Sequence, residues 1–317
     1  SFVQAELENA RAALTYALQQ HRASQAALLL WGTFSTWLLC GRAVEGARCA
    51  EETLAANLRV SGVERVCLLA AAGDLLRFAG EHERARRLKN DALAAAQPLV
   101  GQMMPGGRTV AAVLVSLQSD LADLALMRDD LEAARAYSRA AVAAARGGND
   151  ARALARALGP AMWTAFAAGD PDQALTVAAE ALELDTRDGR AVDAAESLIL
   201  ISLCQLQLGD ADGAASNLAT AIGRVRQHPG RSFVLINLFV TAGRLALARG
   251  RPDDAEAFGR LASKLANDQA VILDPAMWRV LNEVQQVAPP VTDGGASAPP
   301  LTEDEALQLL ARLVEAR

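Results

Sequence analysis

Histidine and cysteine are the side chains that most often bind metals or act as nucleophiles, and this sequence has few of either. It contains 3 His and 4 Cys among 317 residues. His82-Glu83 lacks the second His one turn later that a zinc-protease helix needs. The cysteines show no C-x-x-C spacing and lie in apolar stretches, as small buried side chains of a reducing compartment do. We expect no metal site, and only core or helix-end roles, for His21, His82, His228, Cys40, Cys49, Cys67 and Cys204.

A Gly-rich loop can hold phosphate, and residues 101–107 (GQMMPGG) are the candidate here. This segment joins two apparent helices, whereas phosphate loops follow a strand, and neither Lys89 nor Lys264 is near it. The sequence has no G-x-S-x-G motif, and acid pairs such as Asp129-Asp130 stand at helix starts, where the helix dipole favours them. The sequence therefore predicts a chain that is not an enzyme and that carries no cofactor.

Recognition by tryptophan and arginine is the chemistry that remains. Trp163 could stack a flat ligand or hold an acidic group if arginines flank it, and the candidates are Arg77, Arg156 and Arg244. These residues are far apart in sequence, so the fold must bring them together. The alternative is that Trp163 packs between helices and the arginines belong to an ordinary solvated surface.

The composition favours helices. Hydrophobic residues make up 52% of the chain but aromatic residues only 4%, and the strong helix formers Ala and Leu supply most of the apolar content. The net charge of −6 provides no basic field for nucleic acid. No apolar run approaches the roughly 20 residues of a membrane span, and the first residues do not have the pattern of a signal peptide. We expect an all-α cytoplasmic protein that binds neither nucleic acid nor membrane.

Six similar turns divide the chain at nearly regular intervals. Their first residues are 39, 49, 40, 40 and 41 positions apart, and the longest interval contains residues 101–107. In five of the turns a Gly can end one helix in the left-handed conformation, and an acidic residue then lies in the first turn of the next helix. The turns begin at Gly41, Gly80, Asp129, Gly169, Gly209 and Gly250.

Small residues recur at fixed distances from these turns, where two helices must approach closely. Five positions after the first residue of each turn stand Gly46, Ala85, Ala134, Ala174, Ala214 and Ala255. This pattern resembles the tetratricopeptide repeat (TPR), and residues 169–186 (GDPDQALTVAAEALELDT) are similar to its second helix. The period exceeds the usual length of about 34 residues, which implies longer helices. The predicted fold is an all-α right-handed superhelix (solenoid) of about six to seven TPR-like helix pairs with a period near 40 residues.

The chain is expected to have three parts. These are a TPR-like helical repeat domain over residues 1–286, a Pro/Gly-rich linker over 287–300 and an amphipathic helix over 301–317. Thr302-Glu303-Asp304-Glu305 has the pattern of a capping box at the start of that helix. Exposed Leu-rich terminal helices also favour a homo-oligomer or docking between domains. The apolar residues of the last helix need a surface to dock on, and they are Leu301, Leu307, Leu310 and Val314.

The first helices of TPR-like pairs line a concave surface, and such proteins bind their partners there. The phase of the small residues predicts which side chains face this groove. The candidate ligand or partner residues are Trp31, Asp74, Arg77, Asp123, Arg156, Trp163, Phe166, Glu196, Asn237 and Arg244.

Both ends of the sequence resemble one class of regulator. Residues 6–18 (ELENARAALTYAL) are similar to the E-x-[DE]-N-L-R-A-A-L-x-W-A-L segment that opens the TPR region of bacterial, mainly actinobacterial, STAND/NB-ARC regulators with LuxR-like or SARP-like modules. Residues 28–54 are also similar, with Cys49 where these regulators have an aromatic residue. Residues 300–307 (PLTEDEAL) resemble the L-T-x-E-E-A-L segment that often closes the region.

This resemblance implies the sensor or interaction part of a longer cytoplasmic signalling or transcription regulator. The start at Ser1, without Met, agrees with such a piece. The groove would bind a protein, a peptide or a small-molecule inducer, and the domain would contact other modules of the regulator chain. One alternative is a free-standing TPR adaptor for a protein tail, although a chain with only two Lys is a poor match to a carboxylate clamp. A less favoured alternative is a helical small-molecule-binding enzyme.

Overall fold

The computed structural model describes residues 2–56, 59–148, 150–226, 232–268, 273–287 and 301–315. In this part of the chain the regular structure is helical, apart from one isolated antiparallel bridge between Met103 and Thr109. None of these helices combines the length and the apolarity that crossing a membrane requires. The helices are α1 Phe2–Gln19, α2 Ala23–Leu39, α3 Ala43–Ala55, α4 Gly62–Phe78, α5 His82–Ala96, a 3₁₀ turn Gln97–Leu99, α6 Val110–Leu126, α7 Leu131–Gly147, α8 Ala151–Ala167, α9 Pro171–Arg187, α10 Ala191–Gln207, α11 Ala211–Arg226, α12 Ser232–Ala248, α13 Pro252–Asp268, α14 Pro275–Val287 and α15 Glu303–Glu315.

The chain forms two compact units. The first comprises Ser1–Leu124 with Ala140–Ala153, and the second Ala125–Arg139 with Leu154–Arg317. In the first unit α4 packs against α2, α3 and α5; in the second, α10 packs against α9, α11 and α12, and α12 against α13 and α14. First helices of successive pairs are therefore neighbours, as in stacked helical repeats. The predicted TPR-like helical repeat fold is confirmed.

The six predicted turns share one backbone conformation. Their first residue has positive φ in every case, including 58° at Asp129, the one position without Gly. The following N–H donates to a carbonyl five residues earlier, for example from Asp210 to Gln205 at 2.8 Å, as in the Schellman motif. Pro171 and Pro252 are the first residues of α9 and α13, where a missing N–H costs nothing.

The predicted small residues lie where paired helices approach most closely. Ala85, Ala174 and Ala214 are completely buried. A Cβ added at Gly46 would lie 2.6 Å from Cδ2 of Leu75 and 3.0 Å from Cβ of Trp37, so a larger residue at this position would force its neighbours to move. The small residues thus set the spacing of the helix pairs.

Cysteines contribute to the core, as the sequence predicts. Cys49, Cys67 and Cys204 are buried, and Cys40 is half-buried. Burial raises the pKa of the Cys67 and Cys204 thiols to about 12, so these thiols stay protonated and unreactive at neutral pH.

The last helix, α15, docks on the second unit. Its capping box forms as predicted, with the Thr302 N–H donating to Glu305 Oε2 at 2.8 Å and the Glu305 N–H to Thr302 Oγ1 at 3.3 Å. Leu307 and Leu310 are buried, whereas Leu301 and Val314 are only half-buried and Leu313 takes the core position instead. Of the predicted linker 287–300, Val287 belongs to α14 and residues 288–300 lie outside the described part of the chain, as do His228 and residues 316–317.

Candidate functional site

A buried ionic cluster lies in the first unit, with charged residues from α4, α5 and α6. Lys89 Nζ is 2.7 Å from Asp74 Oδ1 and 2.7 Å from Asp120 Oδ2. The Lys89 side chain is only 1% exposed. An ammonium group without access to water needs such partners, because an unpaired buried charge is very unfavourable. Two carboxylates from two other helices therefore hold Lys89.

Helix phase explains why a lysine is buried here. Lys89 lies on the face of α5 that also carries Ala85, Ala92 and Ala96, all of which are completely buried. Gly73 on α4 leaves room for its stem, since a Cβ at that position would lie 2.9 Å from Lys89 Cε. The site thus depends on a glycine as well as on charged residues.

Arg77 extends the cluster toward solvent. Its guanidinium nitrogens lie 3.7 Å from Asp120 Oδ1 and 3.5 Å from Asp123 Oδ2. The same guanidinium lies over the ring of Phe78, 4.5 Å from its centroid. Asp123 is 25% exposed, against 5% for Asp120. Asp123 is therefore the most exposed side chain of the cluster.

Burial controls the ionisation of groups around the cluster. Burial raises the pKa of Asp74; the positive charge of Lys89 opposes this effect, and the negative charge of Asp120 adds to it. Burial also lowers the pKa of His82, and the charge of Arg77 lowers it further. Neither ring nitrogen of His82 has a hydrogen-bond partner among the described residues. His82 is consequently neutral at pH 7.

In the second unit the aromatic candidates form a packed pair. The rings of Trp163 and Phe166 meet edge to face with centroids 6.0 Å apart, and both residues are buried. Trp163 Nε1 donates to Glu196 Oε1 at 2.9 Å, which links α8 to α10. The structure places both rings in the interior, so Trp163 does not present an open face for stacking.

The remaining candidates lie apart from these two groups. Trp31 Nε1 donates to the carbonyl oxygen of Pro105 at 3.1 Å, which holds the 101–107 segment against α2. Arg156 is half-buried on α8, and Arg244 forms an ion pair with Glu283 of α14.

Asn237 on α12 is completely buried, and it is the least satisfied polar side chain among the candidates. Neither its Nδ2 nor its Oδ1 has a hydrogen-bond partner within the described residues. Leaving both amide atoms unpaired costs stability, so a native protein that keeps such a group calls for a physical reason. Asn237 is therefore the candidate whose burial the described hydrogen bonds do not explain.

The structure thus brings together Asp74, Arg77 and Asp123, and separately Trp163, Phe166 and Glu196. Sequence reasoning missed Lys89 and Asp120. The signal for Lys89 is a rare lysine on the Ala-rich core face of α5. The signal for Asp120 is weaker, namely one of two acids three positions apart in α6, which has no other charged residue.

A second buried carboxylate couples stability to pH. Asp185 lies 2.8 Å from Arg190 Nη2, yet burial raises its pKa from 3.8 to about 6. Because the folded state holds this proton more tightly than the unfolded state, stability falls as pH rises from about 4 to about 6. Asp185→Asn removes the titrating carboxyl group. We therefore expect the melting temperature of this variant, relative to that of the wild type, to rise as the pH increases from about 4 to about 6.

The control for this comparison is Asp268→Asn, which changes an exposed carboxylate. The melting temperature of this control should stay close to that of the wild type, since the change removes only one exposed ion pair. A constant difference in melting temperature between Asp185→Asn and the wild type from about pH 4 to about pH 6 would show that Asp185 does not titrate in this range.

Comparison with known proteins agrees with the fold. No protein-family model matches the chain, and no curated protein matches it in sequence. Among solved structures it is similar to a Rap protein complexed with competence and sporulation factor, with a TM-score of 0.60, 13% identity, and coverage of 89% of this chain and 87% of that one.

Two further solved structures are similar. Aspartyl phosphate phosphatase F from Bacillus subtilis has a TM-score of 0.57 and 12% identity, covering 90% of this chain and 77% of that one. A tetratricopeptide repeat protein from Parabacteroides merdae has a TM-score of 0.55 and 15% identity, covering 90% and 93%. Likeness at such low identity shows the fold alone.

Proposed function

We propose that this chain is a non-catalytic ligand-sensing and protein-interaction domain of a cytoplasmic regulator. It binds a protein, a peptide or a small-molecule inducer on the first helices of its repeats. The observation that carries the proposal is the concentration of paired charges on these helices, above all the partly exposed Arg77–Asp123 pair of the ionic cluster. Charged side chains held in place by their neighbours are pre-organised to recognise a partner.

One of the similar structures supports this binding role. The Rap protein, whose fold this chain shares, was solved in a complex with competence and sporulation factor. A helical repeat of this size therefore has room for a partner. We extend to this chain only the capacity to bind a partner, because the two sequences are 13% identical.

The regulator context rests on the resemblance of residues 6–18 and 300–307 to the TPR regions of STAND/NB-ARC regulators. In such a protein the domain would contact other modules of the same chain. A bound ligand acts on the output only if it prefers one of the regulator's states over the other. We therefore propose that ligand binding shifts the regulator between resting and active states.

Site-specific photo-crosslinking in the source organism tests the binding surface. A photoreactive phenylalanine analogue replaces Arg244 in the second unit or Asp123 in the first, and Arg139, exposed on α7, serves as the control position. We expect one macromolecule or ligand to crosslink from Arg244, from Asp123 or from both, but not from Arg139. Crosslinking from Arg139 alone would contradict the proposed surface.

Native mass spectrometry of the same purified chain, before and after denaturation, then identifies the kind of ligand. A small molecule released on unfolding supports an inducer-binding sensor. A specific protein that stays attached favours the free-standing adaptor instead. A bare chain that also gives no crosslink would count against both.

A further inference from the structure

The position of α15 does not follow the order of the repeats. It follows α14 in the chain, yet it packs against α11, α12 and α13. We call the surface that it covers, together with Asp212 and Arg249, the α15 seat. This seat is built from two successive helix pairs of the second unit.

Both ends of α15 are secured, but in different ways. At its start the helix brings its own cap, through Thr302 and Glu305. At its end the seat provides the cap, because Arg249 Nη1 donates to the carbonyl oxygen of Leu313. Arg249 Nη2 donates to Asp212 Oδ1 at 3.1 Å, which orients the guanidinium. The seat therefore recognises the carboxyl end of a helix.

The apolar side of α15 matches the spacing by which grooves recognise helices. Ala306, Leu307, Leu310 and Leu313 are buried, whereas Gln308 on the opposite side is exposed. These anchors follow the i, i+4, i+7 spacing of an amphipathic helix that lies in an apolar groove.

Charged residues stand at the ends of both helices. The first turn of α15 contains Glu303, Asp304 and Glu305, and the last turn of α11 contains Arg224 and Arg226. Arg249 joins the end of α15 to Asp212 in the first turn of α11. This contact fixes the carboxyl end of α15 beside the start of α11.

We propose that the α15 seat is a binding site for an amphipathic helix of a partner protein, and that α15 is its tethered resident. A competing helix needs apolar residues at the spacing of α15 and a free carbonyl at its end. Because α15 belongs to the same chain as the seat, its docking is intramolecular and competes with any helix that arrives from solution. A partner helix must therefore bind the seat more tightly than α15 does in order to displace it.

The test uses the full chain and a fluorescein-labelled peptide of residues 301–317 as the probe. Leu310→Asp unseats the resident helix, and Gln308→Asp adds the same charge on the exposed side as the matched control. Fluorescence anisotropy should show the peptide binding to Leu310→Asp at least tenfold more tightly than to the wild type or to Gln308→Asp. Equal binding to all three chains, or none to any, overturns the proposal.

Two more variants and a mass measurement distinguish an exchangeable α15 from one that the fold requires. Arg249→Met in the Leu310→Asp chain should weaken peptide binding about tenfold, since one charge-assisted hydrogen bond is lost.

Leu313→Asp is a second variant that unseats α15. If both Leu310→Asp and Leu313→Asp lose more helix in circular dichroism than α15 contains, α15 is integral to the fold and the proposal is overturned. If light scattering shows that wild-type chains dimerise and that Leu310→Asp abolishes the dimer, the exchanging helix comes from a second copy of this chain. The proposal that the seat binds a helix of a partner protein is then overturned.

Discussion

Lys89→Met should destabilise the chain by about 3–5 kcal/mol, because it removes the buried cation that pairs with Asp74 and Asp120. Lys89 Nζ contacts Asp74 and Asp120 at 2.7 Å each, and its side chain is 1% exposed. Urea denaturation monitored by circular dichroism measures the change in the free energy of unfolding. The loss should shrink at acidic pH, where Asp74, whose pKa burial already raises, becomes protonated and neutral.

The other lysine of the chain is the matched control. Lys264 pairs with Asp268 on the surface of α13 at 3.0 Å, so Lys264→Met should cost no more than about 0.5 kcal/mol. Combining Lys89→Met with Asp74→Asn and Asp120→Asn should restore much of the lost stability, because no buried charge then remains unpaired. A loss below about 1 kcal/mol for Lys89→Met would show that water reaches the cluster.

Asn237→Leu should have the opposite effect and stabilise the chain by about 1–3 kcal/mol. Both amide atoms of Asn237 are buried without a partner among the described residues, and leucine has a similar volume without polar atoms. The same urea titration measures this gain. If Asn237 contacts the ligand, the variant should also lose the crosslinks proposed for Arg244, as expected where function costs stability.

Asn217→Leu is the control for this substitution. Asn217 Nδ2 donates to Gln205 Oε1 at 2.8 Å, so its replacement removes an existing hydrogen bond and should not stabilise. A clear destabilisation by Asn237→Leu would mean that the amide has a partner in solution, and its proposed ligand role would lose its basis.

Lys89→Met should destabilise the chain and Asn237→Leu should stabilise it, although both residues lie on buried helix faces. A charged or polar residue on the buried face of a helix is unfavourable unless another element supplies a partner. Lys89 has two such partners from α4 and α6, whereas Asn237 has none within the described residues. Stability at each position therefore depends on residues that are distant in the chain.

Much of the local structure was predictable from the sequence. The turn at Gly209 depends on residues within one helical turn, because its hydrogen bonds join Asp210 to Gln205 and Gly213 to Asp210. The start of α15 likewise follows from Thr302 and Glu305 alone. Such features form wherever the residues occur together, since their partners are neighbours in sequence.

The candidate site was predictable only in part. Helix phase predicts that Asp74, Arg77 and Asp123 face the groove, and the structure brings these three side chains into one ionic cluster. Helix phase does not show how deeply an inward face is covered. Trp163 and Asn237 were predicted for the groove, but both lie in the interior. That depth depends on how closely the neighbouring helices pack, which the side chains of all of them decide together.

The sequence by itself determined the helices, the turns and the repeat that pairs them, because each depends on contacts between residues a few positions apart. Only the tertiary structure decided that Lys89 meets Asp120, 31 positions away, and that Arg249 holds the end of α15, 64 positions away. Those contacts depend on the rotation and stagger of packed helices. Helical periodicity specifies which face turns inward, but the partner on the facing helix is set by the packing of the whole unit.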